Sequence, residues 1–399
     1  MEYVKLGDIC TKVCSGGTPT SSNPAYYDGN IPWLNTNEVN FCNIYSTNKT
    51  ISEEGLKKSA AKYVPENTVI VAMYGVTAGK CAIAKIPLTT NQACCNLIID
   101  KEKADYCYVY YYLRQQSDSL NKLAIGGAQQ NLNALTIKKF KIALPTLPIQ
   151  KKIASILSTY DRLIENNTHR IRLLEQMAEN LYKEWFVRFR FPEHEKVEMV
   201  NGLPKGWKIK RIADFGRIET GKTPPMSNRK LYGGDILFVK TPDMHDKMFI
   251  SSTSETLSED GNNYQLTKLL PANSIMVSCI GTAGIVSINA KPAHTNQQIN
   301  SIILNNLEDL EWLYYVCKQM KPTIELFGAT GATMTNLSKG KFEKLKVVVP
   351  KANIRESFHK RIRPYFKEIF TLDQQNTLLT RQRDLLLPRL MSGKLEVKS

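Results

Sequence analysis

The sequence predicts an α+β fold: two similar mixed α/β domains joined by two long helices that form an antiparallel coiled coil, with pseudo-twofold symmetry. Three observations predict it. The chain repeats itself at an offset of 205 residues; each half holds short β-rich runs bounded by Gly, Pro and Asn; and each half runs on into a long stretch with apolar residues three and four apart. A length of 399 residues suits two or three domains at roughly 100 to 200 residues each.

The repeat is clearest where Gly16 to Ile31 aligns with Gly221 to Ile236. Gly16, Thr18, Pro19, Ser22, Asn23, Tyr27, Gly29, Ile31 and Thr36 recur without a gap, where average residue usage gives about one or two chance matches. Thr90-Asn91-Gln92 recurs as Thr295-Asn296-Gln297, Asn131-Leu132 as Asn336-Leu337, and Pro145 as Pro350. A period this long marks duplicated domains, not a solenoid. Strands are expected at Thr68–Met73, Asn96–Ile99 and Phe140–Leu144, and again at Ser274–Ile280, Ile299–Leu304 and Leu345–Val349. Amphipathic helices are expected at Tyr106–Gln116 and Leu310–Met320.

Prolines 145, 148 and 350 introduce the two long helices. In the first, a seam runs through Ile153, Ile156, Tyr160, Leu163, Asn167, Arg170, Leu174, Met177 and Leu181; in the second, through Ile362, Tyr365, Ile369, Leu372, Asn376, Leu379, Arg383 and Leu386. Spacings of three and four average 3.5, the period of a coiled coil, and a seam asparagine fixes register because slippage leaves its amide unpaired. Asn167 and Asn376 are expected at the same type of seam position. The expected domains are therefore 1–147, a first long helix over 148–190, a second domain over 191–350 and a second long helix over 351–399.

Composition narrows the partners. Lys and Arg number 53 against 37 acidic residues, a formal charge of +16. The excess is spread over every segment, which suits a basic folded surface and a polyanionic partner, nucleic acid before membrane. No apolar run reaches membrane-spanning length and the first residues lack an apolar signal core, so a cytoplasmic location and reduced thiols are expected. The nine cysteines form no C-x-x-C pair, and the five histidines have no glutamate or cysteine at metal-ligand spacing.

Two partial motifs are similar to catalytic ones but fall short of them. Asn23-Pro-Ala-Tyr26 is similar to the Asn-Pro-Pro-Tyr of amino-methyltransferases but lacks the second proline, and its copy reads Asn228-Arg-Lys-Leu231. Gly75-Val-Thr-Ala-Gly-Lys80 is similar to a phosphate loop but is one residue short, with cysteine where the Mg²⁺-binding hydroxyl belongs. Its counterpart, Gly281-Thr-Ala-Gly-Ile285, has no lysine, and a glycine turn between strands is the expectation for both.

With two such domains alternating with two helical regions, the chain resembles the specificity subunit of type I restriction–modification systems. Met177-Ala-Glu-Asn-Leu-Tyr-Lys-Glu-Trp-Phe-Val-Arg-Phe-Arg-Phe-Pro192, Gly202-Leu-Pro-Lys-Gly-Trp207 and Arg383-Asp-Leu-Leu-Leu-Pro-Arg-Leu-Met-Ser-Gly-Lys394 carry the match. The resemblance implies a non-catalytic reader of double-stranded DNA, each domain being a target recognition domain for half of a split, asymmetric site. It implies docking of two methyltransferase subunits on the helices, with S-adenosylmethionine bound by those partners for adenine-N6 methylation. Restriction subunits, with ATP and Mg²⁺, join in the full complex, and no cofactor is expected on this chain. A specificity subunit for a fused type II nuclease–methylase, a stand-alone DNA methyltransferase and a coiled-coil scaffold with incidental charge are the competing readings.

Base edges are read by side chains with fixed donor and acceptor patterns, while Ser, Thr and backbone amides hold phosphates. Residues recurring in both halves suit phosphate positioning or the fold itself: Thr18, Ser22, Asn23 and Tyr27, with Thr223, Ser227, Asn228 and Tyr232. Positions that differ suit base reading: Asn35 against Lys240, Asn37 against Pro242, Gln129 against Met334, and Pro24 and Ala25 against Arg229 and Lys230. Tyr74, Lys80 and Gln130 in the first half, and Lys222, Asp243 and His245 in the second, complete the DNA-contacting candidates. Asn91-Gln92 and Asn296-Gln297 serve equally well as buried amides at strand ends. For subunit docking the candidates are Tyr182, Trp185, Phe186, Phe189, Leu386 and Leu390, and an aromatic cluster of this kind is either an interface or a domain core.

Overall fold

In a computed structural model, which describes residues 2–123, 131–329 and 335–397, the chain divides into two units. One comprises Met1–Glu165 with Thr377–Ser399, the other Asn166–Asn376. Both divisions fall inside long helices, Leu147–Tyr182 and Ala352–Met391.

In the first unit, a five-stranded sheet runs in the order Cys10–Ser15, Cys94–Ile99, Val69–Ala72, Cys81–Ala84 and Cys42–Ile44. Its neighbours are antiparallel except for the last pair, which is parallel. Val69–Ala72 and Cys81–Ala84 are buried at every residue, as expected of short continuous apolar runs at the centre of a sheet. A second sheet orders Lys49–Ile51, Tyr27–Leu34, Leu88–Thr90 and Tyr63–Val64, and Glu2–Lys5 pairs with Lys141–Leu144. Helix Tyr106–Gln115, capped by Asp105 accepting from the Tyr108 amide, packs its tyrosines and Leu113 into the core.

The second unit repeats this plan. Its five-stranded sheet runs Gly216–Thr220, Ile299–Leu304, Ile275–Ser278, Val286–Asn289 and Phe249–Ile250. Glu255–Leu257, Tyr232–Val239 and Ala293–Thr295 form the smaller sheet, and Lys208–Arg211 pairs with Lys346–Val349. The expected short strands and helices are all present, with ends shifted by no more than two residues, while the long helices end at Tyr182 and Met391, short of the expected 190 and 399.

The sequence reading missed Tyr27–Leu34 and Tyr232–Val239, the longest strands of each unit. The first contains Asp, Gly, Asn and Pro and the second two Gly and an Asp, which argue against a strand. Each tolerates them by a break in register, between Tyr27 and Ile31 and between Tyr232 and Ile236, that leaves the polar residues outside the ladder.

Each domain core is completed by both long helices. In the first unit Ile153, Ala154 and Leu157 from one helix join Leu387, Leu390 and Met391 from the other. In the second, Ala178, Tyr182, Trp185 and Phe186 join Phe358, Ile362, Phe366 and Ile369. Within each unit the pairing is antiparallel: Asp161 meets Arg383 in the first, while Thr168 meets Asn376 and Arg170 meets Glu368 in the second.

The seam differs from its expected positions. Leu163 and Met177 are 47% and 52% exposed and Arg170 is exposed, whereas Leu157, Ala178 and Tyr182 are buried and Ile164 and Ile171 half-buried. From Ile153 to Tyr182 the buried face recurs at about 3.6 residues, the period of a straight helix. Each helix packs on a domain as well as on its partner helix, so the buried stripe is broader than a two-stranded seam and need not supercoil. The second helix follows the expected seam more closely, with Ile362, Ile369, Leu372 and Arg383 buried.

The asparagines are also reassigned. Burial along the two helices repeats at the 205-residue offset, so Asn167 corresponds to Leu372 and Asn376 to Ile171. In the second unit the buried Asn167 donates to Gln375 Oε1 at 3.3 Å, and Asn376 donates to Thr168 Oγ1 at 3.3 Å. They share one polar layer instead of occupying equivalent sites.

Candidate nucleic-acid interface

In each unit the loop after the first long-sheet strand is held down by close backbone approach. A Cβ at Gly16 would lie 2.0 Å from the Thr90 carbonyl oxygen, and one at Gly221 2.2 Å from that of Thr295. Only glycine fits there. The residues that recur brace these loops. Tyr27 donates its hydroxyl to the Pro19 carbonyl at 2.6 Å, and Tyr232 to Pro224 at 2.6 Å. Thr18 donates to Gln92, and Thr223 to Gln297 at 2.6 Å. Asn23 Oδ1 accepts from the Ala25 amide at 3.1 Å and Asn228 Oδ1 from Lys230 at 3.3 Å, each capping a short turn. Asn91 and Asn296 accept from the amides two residues on. Of the two roles expected for recurring residues, holding the fold is the one these bonds describe; Ser22 and Ser227 are exposed at the same turns.

Most of the positions that differ, among the described residues, stand outward. Arg229, Lys230, Lys222 and His245 are exposed in the second unit, as is Asn37 in the first. The Lys222 ammonium lies 4.6 Å from the Tyr264 ring centroid, an aromatic seat that keeps the charge at the surface. Lys240 is tied to Glu255 at 2.7 Å, and Asn35 accepts from Asn91 at 3.4 Å. Lys80 donates to Asn40 at 2.9 Å, and Tyr74 is exposed at the mouth of the adjacent glycine turn.

Asp243 braces its own loop. Its two carboxylate oxygens accept from the backbone amides of Lys240 and Ser254, both at 2.9 Å, so they are committed to shaping the loop. Glu38 does the same in the first unit, accepting from Asn35 and Asn48. Gln129 and Gln130 lie outside the described residues.

The sequence reading also missed a lysine group. The segment Glu53–Ala61 packs against the first loop, where a Cβ on Gly17 would meet the Ala60 carbonyl carbon at 2.3 Å. It leaves Lys57, Lys58 and Lys62 exposed. Asn262 and Asn263 stand at the positions of Lys57 and Lys58 in the second unit. The difference between the two halves at these positions is visible from sequence alone.

Gly75 and Gly79 have φ of +74° and +81°, and Gly281 and Gly284 have the same values. Both segments turn between antiparallel strands, Val69–Ala72 with Cys81–Ala84 and Ile275–Ser278 with Val286–Asn289. A phosphate loop opens a helix, and neither segment does. All nine cysteines are free thiols. Burial pushes the Cys10, Cys95 and Cys107 thiols up to about 12 and Cys279 up to about 11, which keeps them protonated and unreactive. Among the described residues no three His, Cys, Asp or Glu side chains gather to hold a metal ion, and no helix is long and apolar enough to cross a membrane.

The docking candidates are corrected as well. Tyr182, Trp185, Phe186 and Leu390 are buried in domain cores, and Phe189 and Leu386 are half-buried against them. The Phe186 ring centroid lies 4.9 Å from Phe358 and 6.1 Å from Trp207, and Phe189 lies 5.3 Å from Trp207. Of the two roles left open for this cluster, these residues fill the core.

A duplicated α/β scaffold with divergent polar loops, each copy completed by two antiparallel helices, defines a two-domain recognition protein. The family model for the type I restriction modification DNA specificity domain matches residues 1–176 and 204–381, and the chain belongs to that family. It is 36% identical over 322 residues to the type I restriction enzyme HindI specificity subunit of Haemophilus influenzae, covering 65% of this chain and 70% of the relative. It is 29% identical over 408 residues to the MjaIX specificity subunit of Methanocaldococcus jannaschii, covering 99% and 93%. The crystal structure of a type I restriction–modification S subunit from M. genitalium has the same fold, with a TM-score of 0.64 at 17% identity, over 98% of this chain and 95% of that one. The chain is accordingly a DNA-recognition subunit of the type I restriction–modification class.

Proposed function

We propose that each domain reads one half of a bipartite, asymmetric duplex site and that the paired helices set the unread gap between the halves. The observation that carries this reading is the division of labour within the repeat: the same residues brace both loops, while Pro24 and Ala25 face Arg229 and Lys230 across the alignment, and Gly17 faces Lys222. Two readers built on one scaffold share the brace and differ in the code. A helix of 36 residues is about 54 Å long at 1.5 Å per residue, enough to serve half-sites about one DNA turn, roughly 34 Å, apart.

The chain itself carries out no chemistry in this proposal. Exposed lysines and arginines neutralise phosphates, and base edges are read from the divergent loop positions. Two methyltransferase subunits dock on the helical frame and bring S-adenosylmethionine for adenine-N6 methylation. Restriction subunits add ATP- and Mg²⁺-dependent cleavage, and the complex works in the cytoplasm.

Exchange of residues 1–147 for those of a relative tests the reading. Mapping of methylated sites in the chimera should show one half-site changed and the other retained. Changes in both halves would refute it. Insertion of four residues near Asn167 should change the gap and leave both half-sites intact; altered bases at constant spacing would contradict the spacer.

A further inference from the structure

In the first unit the helix pair is held by a charge cluster that the second unit does not repeat. Arg383, 8% exposed at its side chain, donates to Asp161 Oδ1 at 2.5 Å and pairs with Asp384 at 2.8 Å. Tyr111 donates to the other Asp161 oxygen at 2.5 Å, and Arg114 stands 3.8 Å from Asp161 and 3.6 Å from Asp384. Burial alone would lower the Arg383 pKa, but bonding to Asp161 and Asp384 outweighs it and raises it. At the 205-residue offset Asp161 becomes Phe366 and Arg383 becomes Ala178. Both are buried in the apolar core of the second unit.

This inequality has a consequence for pairing. Because the two long helices share their buried faces, a first helix offers a surface on which the first helix of another copy could pack in place of a second helix. Each residue would then meet the counterpart of its present partner. Asp161 would face Ala178 and lose Arg383. Two second helices would bury Arg383 against Phe366. Tyr111 and Arg114 stay with Asp161 on the first domain's side, and Arg114 would meet Glu179, the counterpart of Asp384, so these contacts do not discriminate. Size acts in the same sense as the Asp161–Arg383 pair: Tyr182, Trp185 and Phe186 have Leu387, Leu390 and Met391 as counterparts.

We infer that the Asp161–Arg383 pair is a partner-selecting contact, directing a first helix to a second helix and away from the first helix of another copy. Relatives with complementary charges at this layer are then able to exchange helices, while those with like charges are not.

Full-length charge variants test it. Asp161→Lys gathers three cations, with Arg383 and Arg114, and Arg383→Glu gathers three carboxylates, with Asp161 and Asp384, so each variant alone should lose intrachain pairing by about a thousandfold, the cost of unpairing a buried charge. Mixed and refolded together, with one chain isotopically labelled, the two should form a reciprocal two-chain species seen by native mass spectrometry. In it, the Asp161 retained by one variant pairs with the Arg383 retained by the other, and the two introduced side chains, one cationic and one anionic, pair with each other. The double variant Asp161→Lys/Arg383→Glu should recover the one-chain form and part of the lost melting temperature, since Arg114 and Asp384 still stand beside the exchanged charges. Absence of a mixed two-chain species overturns the inference. So does either single variant folding as a one-chain species with wild-type stability, or failure of the double variant to recover what the single variants lose.

Discussion

Replacement of Phe358 by alanine tests the reassignment of the aromatic cluster from docking surface to core. Phe358 is fully buried, and its ring centroid lies 4.9 Å from Phe186, 5.7 Å from Trp185 and 6.3 Å from Tyr182. The ring belongs to the second long helix and the other three to the end of the first, so it joins both helices to the domain between them. Truncation leaves a cavity that these rigid neighbours cannot fill, which costs about 3–5 kcal/mol. At about 2–4 °C per kcal/mol for a cooperative unit of this size, melting should fall by about 10 °C. Calorimetry gives the shift, and hydrogen exchange locates it: protection should be lost in helix Leu310–Gln319, which packs in the same core, and kept in the first unit. A fall of under about 2 °C, with exchange in that helix unchanged, would show that the ring does not complete the core.

Three further outcomes are expected. Lys222→Ala with Lys230→Ala should weaken DNA binding and reduce the salt slope of log K by about two, and site mapping should show the effect confined to one half-site. His294 is buried in the second unit with Nε2 against Asn262, and burial lowers its pKa to about 4 from an ordinary 6.5. Its unfolded state therefore binds the proton first; stability is fully present above about pH 6.5 and is lost as pH falls toward about 4, by about 3 kcal/mol. His294→Gln should flatten that part of the pH profile in denaturant melts. Gly221→Ala should shift its loop, because a Cβ there meets backbone oxygen at 2.2 Å. The cost is about 1–3 kcal/mol, and footprinting should show one half-site weakened and the other intact.

Much of the architecture was legible in the sequence because duplication supplies its own alignment. Pro145 and Pro350 marked equivalent helix starts, and the apolar runs at Val69–Ala72 and Ile275–Ser278 announced central strands. Tyr27–Leu34 was not legible, since its polar first half is admitted only by a register break that other strands impose. The seam was half right for a related reason. Spacing within one helix cannot reveal that a domain covers its flank, so Leu163 and Met177 were placed inside and Ala178 was overlooked. Among loop residues, Tyr27 and Thr18 were recognised as shared, but their hydrogen bonds to Pro19 and Gln92 depend on tertiary approach. The bonds of Asp243 to the Lys240 and Ser254 amides likewise depend on the fold, because a carboxylate that caps backbone amides and one that faces solvent look alike in sequence.

The sharing of each core between both long helices bears on how the protein is born. Leu387, Leu390 and Met391 seal the core around Ile153 and Leu157, yet they leave the ribosome more than two hundred residues after those partners. At about 5–20 residues per second, the amino-terminal domain waits on the order of tens of seconds with one wall missing. During synthesis that opening is an apolar surface for chaperones to guard, and premature termination anywhere before the last helix strands both halves of the molecule in an unfinished state.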